Sequence, residues 1–151
     1  MPATRPEERL QALLQHHEGL RLKPYTDTTG HLTIGYGRNL TDVGISLDEA
    51  RMLLRADLAY AEHQVLEAFP WAEYLDPVRQ AVLVDMCFNL GIVSLKKFAT
   101  TLRHVQFGQW EAAAASMLDS LWARQVGQRA KDLAAMMRSG AWPPFTLDME
   151  S

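Results

Sequence analysis

The sequence predicts a mainly helical α+β fold: a small lobe carrying a sheet, a long connecting helix, and a larger bundle of helices. Three observations lead there. Residues 22–40 are the one convincing β region. Ser46-Leu47-Asp48-Glu49 is a capping box at the head of a long apolar stripe. From Asp76 to Gly140, helix starts and stops follow one another with no further strand pattern. At 151 residues the chain is long enough for one sizeable core. It reads as a single domain, with a first lobe over about 12–60 and the helix 46–67 as connector. The second lobe spans about 68–142 with the N-terminal helix 6–18 packed on it, and 143–151 reads as a mobile tail.

The elements follow in order. Pro6 with Glu7 and Glu8 starts a helix, proline in the first turn and acids against the positive end. Leu10, Leu13, Leu14 and His17 share one face, expected to be buried, and Gly19 is the stop. In the helix 46–67, Leu47, Ala50, Leu54, Leu58, Ala61 and Val65 form a core face or an interlobe strut, and Pro70 ends it. Asp76-Pro77 is an N-cap and first-turn pair. The helix behind it, to Gly91, is apolar almost all round and belongs in the middle of a domain. Asp85 within it is an anomaly, expected to be paired or at an edge, and is assigned no chemistry. Phe88 and Asn89 occupy its last turn, where the plain reading is a core residue and a cap. After a break at Ile92-Val93 comes a helix through Phe107, then one from Trp110 to about Gln125, then Gln128 to Arg138. Trp110, Trp122 and Trp142 read as core anchors.

Composition narrows the function classes. With 48% apolar and 22% charged residues the usage is that of a soluble globular protein. A single cysteine excludes an internal disulfide, and Cys87, between Met86 and Phe88, reads as buried filler. A net charge of −3 argues against a nucleic-acid partner. Residues 1–70 hold seven Lys and Arg against ten Asp and Glu, while 71–147 hold eight against six, a weak bias of the second half toward an anionic polymer. His16 and His17 have no further ligands at metal spacing, so no metal is expected. The N-terminus shows neither an apolar signal core nor a span near twenty residues, so neither export signal nor membrane insertion is expected.

The stretch that carries chemistry is residues 18–37, EGLRLKPYTDTTGHLTIGYG. Glu18 closes the first helix, where a carboxylate faces the negative end of the helix dipole and is mildly unfavourable. Thr28-Thr29-Gly30 fits a three-residue hairpin loop closed by a left-handed glycine. That loop pairs 27 with 31 and 25 with 33, so Tyr25, Asp27, His31 and Thr33 share one face of the hairpin. Asp27 and Thr33 are then diagonal neighbours, roughly 7–8 Å apart by backbone, close enough to hold one water between their tips. A two-residue loop would instead put them on opposite faces. Gly35 and Gly37, with Arg38-Asn39, bend the region toward a cleft.

Glu18, eight residues, Asp27, five residues, Thr33, set among these glycines, resembles the phage-type lysozymes of glycoside hydrolase family 24. The likeness continues through Phe88-Asn89-Leu90-Gly91, Trp110 and Trp122 to Arg129-Ala130, about residues 8 to 142. The resemblance implies a three-stranded antiparallel sheet in the small lobe. The segment before the helix at 46 is short, nearer the lambdoid than the T-even form. It implies a muramidase that cleaves the β-1,4 bond between N-acetylmuramic acid and N-acetylglucosamine in peptidoglycan. Glu18 would be the acid, Asp27 the ionised partner and Thr33 the hydroxyl that helps hold the water. Phe88 and Asn89 would border the glycan, and Arg129 would pair with Glu18. No cofactor is implied, the partner is the glycan strand, and a monomer is expected. Synthesis in the host cytoplasm with release through a holin fits the missing signal. A water between Asp27 and Thr33 points to inversion, though the carboxylate separation that decides it is not legible in sequence. An idle wall-binding module and a chitin- or chitosan-cleaving relative are the alternatives. The first would have lost Glu18, Asp27 or Thr33, and all three are present.

Overall fold

The structure, a computed structural model, describes residues 5–148. It is α+β, as expected, with a three-stranded antiparallel sheet near the N-terminus and helices over most of the remainder. The chain forms two compact units that divide between Leu53 and Leu54.

The first unit opens with α1, Pro6–Glu18, ended by Gly19 at φ 69° with its N–H on the Gln15 carbonyl. Next come β1, Arg21–Thr26, β2, Leu32–Gly35, and β3, Arg38–Asn39, in the order β1-β2-β3. Tyr25 pairs with Thr33 and Thr26 with Leu32, the register expected of a three-residue loop. Gly30, at φ 85°, is the left-handed residue that closes it. Further down the ladder the register shifts between Arg21 and Tyr25, a span that holds Pro24, which has no N–H to donate. Thr33 lies in the central strand and also pairs with Asn39.

Two expectations of burial fail, one in this unit and one along the helix that leaves it. The face of Leu10, Leu13, Leu14 and His17 is not buried; the three leucines are half-exposed and no residue of α1 is buried. In the described part of the unit only Thr33 is buried, because about fifty residues with two short hairpins enclose almost no core. The stripe on α2, Leu47–Ala68, is likewise buried only at Ala61 and Val65, while Leu47, Leu54 and Leu58 are exposed. The capping box is formed: Glu49 N–H donates to Ser46 Oγ at 3.1 Å and Ser46 N–H to Glu49 Oε1 at 3.1 Å. Arg38 Nη1 of β3 binds the same carboxylate at 2.8 Å, and together these contacts hold Glu49 well below the usual carboxylate range, at about 2.

In the second unit, a 3₁₀ turn at Pro70–Tyr74 precedes α3, Pro77–Leu90, whose N-cap Asp76 accepts from Arg79 N–H at 3.1 Å. Val82, Leu83, Val84, Met86 and Cys87 of α3 are buried, as its continuous apolar sequence requires. Burial pushes the Cys87 thiol up, consistent with a packing role. The expected break at Ile92-Val93 is instead a short helix, α4, Ile92–Lys96, because Gly91 at φ 81° turns the chain in one residue. After α5, Ala99–Gln106, the single helix expected over 110–125 is two: α6, Trp110–Leu118, and α7, Leu121–Val126. Ser120 makes the division. Its hydroxyl donates to the Met117 carbonyl and accepts from Ala123 N–H, ending one helix and capping the next.

The last helix, α8, Gln128–Ser139, ends at left-handed Gly140. Arg79 closes this end from α3, with Nε on the Met137 carbonyl at 2.7 Å, Nη2 on that of Arg138 at 3.2 Å, and the guanidinium over Trp110 at 4.1 Å. Trp122 is buried and meets Phe98 edge-on, a core anchor as expected. Trp142 is not; it stands half-exposed beyond α8, just ahead of Pro143 and Pro144. Of the expected mobile tail, Pro144–Asp148 forms a 3₁₀ turn and residues 149–151 lie outside the described residues.

Candidate active site

The hairpin brings Asp27 and Thr33 together through the residue between them. Asp27 N–H donates to the His31 carbonyl at 2.9 Å, and Thr33 Oγ1–H donates to the same oxygen at 3.0 Å. His31 N–H returns a hydrogen bond to Asp27 Oδ1 at 2.8 Å. Asp27 Oδ1 also accepts from Thr29 N–H at 2.9 Å, an Asx turn, and from Thr29 Oγ1 at 2.8 Å. The His31 N–H, the Thr29 hydroxyl, the Thr29 N–H and the nearby imidazole hold the Asp27 carboxyl below its ordinary range, so it is ionised.

This pattern divides the labour between the two oxygens of Asp27. Oδ1 is occupied by three donors, so Oδ2 is the oxygen available to a ligand. Thr33 is buried and its hydroxyl hydrogen is committed to a backbone carbonyl, so its oxygen can act toward a ligand only as an acceptor. A water donating one hydrogen to Asp27 Oδ2 and one to Thr33 Oγ1 would turn its lone pairs outward.

Glu18 lies in the same unit, at the end of α1, with an exposed side chain. Its carboxylate rests on Gly37, where a Cβ would stand 2.7 Å from Glu18 Oε2. Gly37 at φ 81° is therefore required twice, once for the turn between β2 and β3 and once to leave room for the acid. Neither Gly37 as a seat nor His31 as the link between Asp27 and Thr33 was legible in the sequence. The Asp-x-Thr spacing of an Asx turn was the one available hint.

The other expected site residues belong to the second unit. Phe88 and Arg129 line a cavity of about 590 Å³ with Leu58, Val84, Asp85 and Trp142, within the range of small-molecule sites. Asn89 does not line it; its Oδ1 accepts from Trp122 Nε1 at 2.8 Å, which ties α3 to α7. Arg129 Nε pairs with Asp85 Oδ1 at 2.8 Å, both partly exposed, so the acid anomalous in sequence has its cation. Among the described residues no group of His, Cys, Asp and Glu could hold a metal ion. No helix among them is long and apolar enough to cross a membrane.

Comparisons with known proteins point the same way. The chain is 27% identical over 97% of its length to the pre-baseplate central spike protein Gp5 of Enterobacteria phage T4, of which it spans only 30%. It is 24% identical to the probable T4-type lysozyme 1 of Dictyostelium discoideum, over 87% of this chain and 94% of that one. It is 30% identical to an endolysin of Acyrthosiphon pisum secondary endosymbiont phage 1, over 78% of this chain and 80% of that one. Residues 15–139, which include Glu18, Asp27 and Thr33, match the family described as Phage lysozyme. The chain belongs to the phage lysozyme family and is a lysozyme-type hydrolase.

Proposed function

We propose that the protein lyses bacterial cell walls by hydrolysing the β-1,4 bond between N-acetylmuramic acid and N-acetylglucosamine in peptidoglycan. The observation that carries this reading is the hydrogen-bond pattern at Asp27 and Thr33, which leaves an ionised Oδ2 and an acceptor Oγ1 available to a water. Glu18, protonated, gives its proton to the glycosidic oxygen as the bond from that oxygen to the sugar C1 breaks. Positive charge grows on the ring, and Asp27 stabilises it. The water oxygen bonds to C1 from the side away from the leaving group, so the configuration inverts. A carboxylate held this low is a weak base, so Asp27 takes the water proton late, once the oxygen has become acidic. Exchange with solvent then returns both carboxyls to their starting states.

The proposal includes Phe88 and Asn89 at the border of the glycan. It includes Arg129 as the cation serving Glu18, with its Nε engaged by Asp85. The protein acts as a monomer without a cofactor, and its passage to the wall depends on a separate holin.

The test is digestion of purified peptidoglycan followed by borohydride reduction and analysis of the new chain ends. Muramitol ends are expected from the wild type, with chitin left intact. Glu18→Gln should lower release by about two to four orders of magnitude while the protein stays folded. Glucosaminitol ends, or near-normal release by folded Glu18→Gln, would overturn the assignment.

A further inference from the structure

Beyond Asp27 the hydrogen bonding continues through side chains that the reaction scheme does not use. Thr29 Oγ1 lies 2.8 Å from Asp27 Oδ1 and 2.6 Å from His31 Nδ1. On the far side of the ring, His31 Nε2 lies 3.1 Å from Asp42 Oδ2. Asp42 is fixed in turn by Asn39 of β3, whose Nδ2 donates to Oδ2 at 3.1 Å and whose Oδ1 accepts the Asp42 N–H at 3.0 Å. The segment carrying Asp42 is pinned to β2 by Leu32 N–H on Thr41 Oγ1 at 2.9 Å.

The direction of this chain follows from counting hydrogens. Thr29 has one hydroxyl hydrogen, and a carboxylate oxygen can only accept it. With that hydrogen on Asp27 Oδ1, the Thr29 oxygen must accept from His31 Nδ1–H. Nε2–H donates to Asp42 as well, so the relay uses the imidazolium, the form with a hydrogen on both ring nitrogens. Side chains alone therefore run from Asn39 on β3, through Asp42, His31 and Thr29, to the Asp27 oxygen that does not touch the water. The loop tip is exposed; among the described residues Thr29 is the side chain hydrogen-bonded to Asp27, while His31 Nδ1 stands 3.8 Å from Oδ2, beyond hydrogen-bond reach.

We propose that His31 is a positioning residue: its imidazole, braced by Asp42, orders Thr29 and so turns Asp27 Oδ2 toward the attacking water. The inference rests on the hydrolase reading above. It assigns a role to the imidazole ring, separate from the His31 backbone groups that any residue would supply.

Initial rates on a soluble peptidoglycan oligomer, with kcat and KM separated and thermal melts alongside, test it. His31→Ala should lower kcat about ten- to a hundredfold, as expected of a misplaced reacting group, with KM within about twofold. Thr29→Ala should do the same, and the double variant should be little worse than either single one, because both break one chain. Thr29→Ser keeps the hydroxyl and should restore most of the rate. His31→Gln, which keeps an amide donor, should fall between wild type and His31→Ala, and it serves if the alanine variant does not fold. A folded His31→Ala or His31→Gln at wild-type kcat, strict additivity in the double variant, or Thr29→Ser as slow as Thr29→Ala would each overturn the relay. A wild-type chain that releases no reducing ends would end the hydrolase reading and the relay with it. An active wild type silenced by Glu18→Gln but indifferent to His31 would end the relay alone.

Discussion

Adding one methyl group to Gly37 should damage catalysis more than stability. The alanine Cβ would stand 2.7 Å from Glu18 Oε2, whereas ordinary contact begins near 3.4 Å, so the carboxylate must retreat by about 0.7 Å. The obstructing atom is the far end of a flexible side chain, and moving it costs little folding energy. A catalytic group displaced by about 1 Å can lose about a hundredfold in rate, so turnover should fall about ten- to a hundredfold. Backbone strain adds separately. Alanine at φ 81° costs about 1–2 kcal/mol, which in a chain of this length lowers Tm by about 2–8 °C. Gly44→Ala is the control, since Gly44 has φ 65° but nothing within 4 Å of its added Cβ. It should lose a similar amount of Tm and keep its turnover. Rates of wall-fragment cleavage per folded molecule, with melts on the same samples, provide the comparison. Gly37→Ala at wild-type turnover, or Gly44→Ala slowed to the same degree, would refute the idea that Gly37 seats the acid.

Three further outcomes follow from the same contacts. Asp27→Ala and Thr33→Ala should each cut turnover by about a hundredfold or more, and the double variant should resemble Asp27→Ala, as follows if the two serve one water; full additivity would count against that water. Glu49, at about 2 in the folded state against an ordinary 4.5, contributes stability that is present above pH 4.5 and lost as the pH falls toward 2. The Tm difference between wild type and Glu49→Gln should therefore be widest near neutrality and close by pH 2; a gap independent of pH would dissociate Glu49 from Arg38. Arg79→Met removes a mostly buried guanidinium from the carbonyls at the end of α8 and should cost about 2–4 kcal/mol, or about 5–15 °C in Tm. Turnover per folded molecule should be unchanged, and a Tm within 2 °C of wild type would show, to about that margin, that those carbonyls are satisfied without it.

The sequence by itself determined what depends on short range. The hairpin register from Tyr25 to Thr33 follows from a three-residue loop with a glycine at its end, and alternation along the strands then places Asp27 and Thr33 on one face. The stops at Gly19, Gly91 and Gly140 and the caps at Ser46 and Asp76 are equally local, each a matter of a few neighbouring backbone groups. Helix boundaries that needed a choice between equal local readings were not legible. Ser120 could sit inside a helix or cap one, and only its bonds to Met117 and Ala123 chose the second. Burial was the least legible property, because periodicity shows which face is apolar and not whether anything covers it. The leucines of α1 and the first half of the α2 stripe are exposed, and Trp142 stands outside the core that holds Trp122. Contacts between distant parts of the chain were decided by tertiary structure alone: Arg79 on the end of α8, Arg129 on Asp85, and Asp42 behind His31. The Glu18 carboxylate over Gly37 belongs with them, since eighteen residues of intervening chain, a bulge and a hairpin must all close before those two groups can meet.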